Sequence, residues 1–155
     1  MPGELPHLVR DADFAVNGKT HATATVALAA CVLPFALLDA RALVVHVGVL
    51  SNLLVGPDLD VDGWGGPPYR LRRLWEPLGW LWRTAWRPYA LLMRHRGVSH
   101  WPVVGTLTRL AYLSLLLALW AKFGTVPWAG VAWWAAGLAL ADIVHEAMDL
   151  TIRGV

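Results

Sequence analysis

The chain has 155 residues, 57% of them hydrophobic and only 15% charged, with a formal net charge of +2. That length holds one domain and is short for two, and so few charges leave a water-facing surface of this size poorly covered, so lipid or a large apolar partner face is expected around it. A single cysteine, Cys31, excludes an intramolecular disulfide. It lies in an apolar run and reads as a small core residue rather than a ligand.

Residues 1–20 form a polar segment with Glu4, Arg10, Asp11, Asp13 and Lys19. They do not have the pattern of a cleavable leader, because the first apolar run starts only after His21. That run extends from Ala22 to Leu38 and is followed, after the polar break Asp39-Ala40-Arg41, by a second from Ala42 to Val55. The two are expected to form a helical hairpin over 22–55. Apolar residues lie all round each helix, which means burial on every side, in protein or in lipid.

The segment 56–101 differs in kind. It opens with the turn residues Gly56-Pro57 and Gly63-Trp64-Gly65-Gly66-Pro67-Pro68. Arg then alternates with Trp, Tyr and Leu, and seven of the 13 Lys and Arg residues fall between Arg70 and Arg96. Aromatic rings and Arg stems are apolar while their tips stay wet, so this composition predicts a headgroup-level segment. The same residues could stack on single-stranded nucleic acid, but a membrane interface already accounts for them, and nucleic acid is not expected as a partner.

A second hairpin is expected over 102–150, from a third run, about Val103 to Trp120 with Arg109 inside it, and a fourth, Val126 to about Ala141. The break between them is Lys122 to Pro127. The fold class is therefore all-α, with about four apolar helices read as membrane-crossing, in two hairpins joined by an Arg/Trp-rich interfacial segment. The first and third runs approach the roughly 20 residues that a crossing needs. Four crossings would bring His21, the sequence Gly56-Pro57-Asp58-Leu59-Asp60, the sequence Arg94-His95-Arg96-Gly97-Val98-Ser99-His100, and the Asp142 to Asp149 stretch to one side. The basic central segment makes that side cytoplasmic, and the expected location is a bacterial-type inner membrane.

The converging residues suit metal. Asp142, His145 and Asp149 are spaced i, i+3, i+7 and share a helix face. On an apolar helix such groups are costly unless paired or metal-bound. Asp58 and Asp60 flank one residue of a Pro-led turn, where two carboxylates favour a cation between them, although Asp is also an ordinary turn residue. His95 and His100 would diverge by about 140° on one helix, so a loop must aim them together. Counting gives His21, Asp58, Asp60, His95, His100, His145 and Asp149, with Asp142 in reserve. His7 and His46 fall away from the converging ends. One zinc takes about four ligands, so seven suggest two or more divalent ions. Zinc is the first expectation, with manganese, iron or magnesium as alternatives. A pair of ions activates hydroxide and stabilises a leaving oxygen, with Arg94 and Arg96 as groups that hold an anionic substrate or stabilise charge.

In the segments Gly18-Lys19-Thr20-His21, Gly56 to Asp60, Arg87-Pro88-Tyr89 and Arg94 to His100, together with the helix bearing His145 and Asp149, the chain resembles a family of uncharacterised bacterial metal-binding membrane proteins. It is more distantly similar to the membrane-bound metal-dependent hydrolases. The resemblance covers roughly residues 18–150 and implies the same seven metal ligands. It also implies hydrolase activity, and the ligand set beside Arg94 and Arg96 at a membrane face suggests a phosphoester of a lipid or another amphiphile as the substrate, in contact with membrane lipid. The alternative is a non-catalytic role in sensing, storing, transporting or being held together by metal.

Overall fold

A carboxylate cap decides where the first hairpin turns. Helix α1 spans Pro6–Ala36 and α2 spans Ala40–Val55. Between them, Asp39 adopts an extended conformation and its carboxylate accepts hydrogen bonds from the backbone N–H groups of Arg41 (2.6 Å) and Ala42 (3.4 Å). These are two of the amides that a new helix leaves without a partner. The computed structural model describes residues 6–57, 67–93 and 103–153, with side chains from residue 20 to residue 151 within those ranges. Helices α3 (Pro67–Leu74), α4 (Glu76–Leu92), α5 (Val104–Trp120) and α6 (Trp128–Arg153) complete the chain.

The expected all-α class holds, with six described helices rather than about four. Two expected runs are parts of longer helices: α1 begins 16 residues before Ala22, and α6 continues 12 residues past Ala141. Polar residues extend both, and in α6 the extension keeps one face packed against α1, where His145 is buried beside His21.

Helix α6 is the central element. Along it, Ala141 packs with Ala29 of α1 and Val49 of α2. Gly137 lies against the backbone of Val45, and Gly48 against the carbonyl of Trp134, so the two helices touch main chain to main chain. A side chain at either glycine would push α2 and α6 apart. The paired positions increase together along α2 and α6, which makes them parallel. Helix α1 runs antiparallel to both.

Helix α5 closes on α6 through Leu110, Leu113 and the fully buried Leu138. Beside it, Trp82, Trp86 and Tyr89 of α4 cluster with Tyr112 of α5, with centroid separations of 5.1 to 5.8 Å. Tyr89 and Thr108 share a hydroxyl–hydroxyl bond of 3.0 Å, and the Tyr112 hydroxyl donates to the Ala85 carbonyl. Arg70 of α3 donates to the Leu53 carbonyl at the end of α2 (2.9 Å). The Arg/Trp-rich segment is therefore not wholly interfacial as expected. One face of α4 is core, with Trp86 and Tyr89 buried, while Trp75, Trp80 and Leu81 are exposed.

The four crossings are also corrected. Among the described residues no helix is long and apolar enough to cross a membrane. Helices α2 and α5, with 16 and 17 residues, rise about 24 and 26 Å, short of a hydrocarbon core of about 30 Å. The longer α1 and α6 are diluted by Arg10, Asp11, Asp13 and Lys19 in one, and by Asp142, His145, Glu146 and Asp149 in the other.

Candidate metal centre

His145 and Asp149 are one turn apart on α6, so their side chains project from the same face. The antiparallel course of α1 brings His21 against that face. Its imidazole stacks on that of His145 with centroids 3.8 Å apart and planes 12° from parallel. Asp149 sits across both rings: its Oδ1 is 2.9 Å from His21 Nε2, and its Oδ2 is 3.9 Å from His145 Nε2. One ligand atom from each residue lies within 4.8 Å of the others. Both histidines are buried, and His21 Nδ1 has no hydrogen-bond partner among the described residues.

The donor set fits a divalent transition ion. Two imidazole nitrogens and one carboxylate are ligands that zinc, iron and manganese accept. Bonds of about 2.0–2.2 Å would set the donors about 3–4 Å apart, so the present spacing closes by small side-chain rotations. Burial pushes the His145 pKa down to about 4, helped by the His21 ring and by Arg109 and opposed by Asp149. His145 therefore carries the neutral imidazole, the form that binds metal.

Asp142, the reserve ligand, serves another purpose. Its Oδ1 accepts from Asn52 Nδ2 (2.6 Å), and its Oδ2 accepts from Thr106 Oγ1 (2.5 Å) and Arg109 Nη2 (2.6 Å). Both oxygens are occupied, so Asp142, held only in reserve as a ligand, acts as an anchor. Burial raises its pKa above the usual carboxylate value, against the opposing pull of Arg109, Thr106 and Asn52. Arg109 is only 1% exposed. It also donates to the carbonyls of Gly105 (3.0 Å) and Val55 (2.9 Å). This cluster fastens the end of α2 and the start of α5 to α6, one turn from His145.

Of the expected ligands, His21, His145 and Asp149 come together. Asp58, Asp60, His95 and His100, with Arg94 and Arg96, lie outside the described residues. The described ends that lead toward them, Pro57 and Val103, follow Val55 and precede Gly105, both of which bond Arg109. Asn52, Thr106 and Arg109 were not foreseen from the sequence. The available signal was Arg109 itself, since a charge inside an apolar run demands a buried partner.

A family model described as "Uncharacterized metal-binding protein (DUF2227)" matches residues 16–153. An "Uncharacterized protein" of Aquifex aeolicus (strain VF5) is 37% identical over 65 residues. That match covers 42% of this chain and 40% of the relative, so the chain spans about two fifths of that relative's length in the match. No solved structure matches.

Proposed function

The chain belongs to the DUF2227 family of metal-binding proteins, and from that premise we propose that it holds a divalent metal ion between α1 and α6 in a non-catalytic role. The observation that carries this reading is the meeting of the buried His21 and His145 with the half-buried Asp149, from two helices, His21 lying 124 and 128 positions before the other two in sequence. An ion there ties the two helices together and compensates a carboxylate and two imidazoles that are otherwise expensive to bury. Zinc suits the mixed nitrogen and oxygen set best, with iron and manganese next. Asp58, Asp60, His95 and His100 are proposed to complete the shell or to hold a second ion.

Elemental analysis of purified protein tests this. Wild type should carry at least one equivalent of metal, and His21→Ala, His145→Ala and Asp149→Asn should each lose most of it. Retention of full metal content by all three would remove the reading. Asp58→Ala and His100→Ala should lower the content further if their segments contribute.

A second reading, metal-dependent hydrolysis of a phosphoester, is favoured by one observation. Among the described residues three protein donors converge, the number that catalytic sites use when they leave a position for water. Arg94 and Arg96 would hold the substrate's charge in that case. Phosphate release from an ester, lost with the metal, is its test.

A further inference from the structure

We infer that the end of the molecule opposite the metal centre docks on an anionic lipid surface, dipping its two hairpin tips into the headgroup region without crossing. This goes beyond the metal reading and does not depend on it.

The packing places both tips at one end. His21 meets His145 and Asp149 at one end of α6, Ala29 and Val49 meet Ala141 farther along, and Val45 meets Gly137 beyond that. Continuing in the same direction, α2 reaches its start at Ala40 after about 8 Å and α6 reaches Trp128 after about 14 Å. The α1–α2 and α5–α6 turns thus cap the same end, about 30 Å along α6 from Asp149.

Both tips are apolar and bare. Leu38 and Phe123 are each 87% exposed, and Phe35, Leu37, Leu119, Trp120 and Trp128 are all more than half exposed. Every residue from 118 to 125 is exposed. Two tips of Leu and Phe, the second flanked by Trp120 and Trp128, have the composition of a segment that enters an interface, where indole rings rest at headgroup level.

Charge selects the occupant. Arg41 and Lys122 flank the two turns, and neither has an ion-pair partner among the described residues. Asp39, the nearby carboxylate, is engaged by the start of α2. Two basic groups beside exposed apolar tips match an anionic bilayer. A second copy docked tip to tip would bring four like charges together. The sequence had suggested that the lipid-facing segment and the ligands share a side, whereas this arrangement places them at opposite ends.

The test is co-sedimentation of the full chain with vesicles of phosphatidylcholine alone, or mixed in equal parts with phosphatidylglycerol. Wild type should pellet with the mixed vesicles and much less with pure phosphatidylcholine. Leu38→Glu/Phe123→Glu should lower the partition coefficient at least about tenfold with metal content unchanged. Arg41→Gln/Lys122→Gln should erase the preference for mixed vesicles. In wild type, brominated lipid should quench part of the Trp emission, and Trp120→Phe/Trp128→Phe should lose that part. Absence of vesicle binding, binding unchanged in the glutamate variant, or quenching retained in full by the phenylalanine variant would overturn the proposal. So would a dimer, seen by light scattering, that the glutamate variant dissociates.

Discussion

Arg109 and Asp142 illustrate how a buried ion pair is tolerated. Two ions taken from water cost several kcal/mol each, and their attraction repays this only when the remaining hydrogen-bonding capacity is also met. Here Arg109 is met by two carbonyls and Asp142 by Asn52 and Thr106. Asp142→Ala should therefore destabilise the fold by roughly 3–5 kcal/mol, because it strands a buried guanidinium. Arg109→Met/Asp142→Leu should cost clearly less, and urea denaturation of the two variants decides this. His145 gives a pH dependence to the metal-free protein. Its pKa is about 4 in the fold, against 6.5 as the ordinary value. Between these values the unfolded chain takes up a proton that the folded chain refuses, so stability falls as pH drops from about 6.5 to 4. The loss is on the order of 3 kcal/mol and is complete below that window. The raised pKa of Asp142 acts in the opposite sense, so the quantity to measure is the difference in urea midpoint between wild type and His145→Gln across that range. A difference that does not change with pH would contradict the assignment.

Among the elements, the contact of α2 with α6 is the most sensitive to sequence. At Gly137 a methyl group would strike the carbonyl of Val45 and the amide of Val49, which are backbone atoms that cannot rotate away. Gly137→Ala should thus cost roughly 2 kcal/mol or more even though alanine is the better helix former. Thermal unfolding followed by circular dichroism checks this, and an unchanged or raised Tm would show that the helices do not meet so closely. Because this contact sets the height of α6 against the α1–α2 hairpin, the same substitution should also weaken metal binding. By contrast, the Arg72–Glu76 pair that links α3 to α4 is exposed and contributes little.

For the whole molecule, the His21–His145–Asp149 cluster joins α1 to α6 at one end while the two turns stand bare at the other. An ion bound only by the folded chain raises stability by RT ln(1 + [L]/Kd), about 2.7 kcal/mol at a hundredfold excess over Kd. Added zinc should therefore raise the Tm of wild type by several degrees and leave His21→Ala/Asp149→Asn unmoved. An equal rise in both would place the zinc elsewhere. Much of this organisation was legible in the residues. The Asp39 break marked the first turn because a carboxylate before an apolar run caps a helix whatever surrounds it. The spacing of His145 and Asp149 gave one face because helical periodicity is local. The order of the runs also led to the expectation that His21 lies near His145 and Asp149, and the structure brings the three together, although not through the four crossings from which that expectation was argued. The residues alone left the role of Asp142 open, since only tertiary packing brings Asn52, Thr106 and Arg109 to its two oxygens. They also overstated the crossings, since an apolar run does not reveal whether its faces meet lipid or neighbouring helices. Local chemistry and periodicity were thus fixed by the sequence itself, whereas the side-chain partners of Asp142 and of His21 lie 33 to 128 positions away, and only the folded chain brings them together.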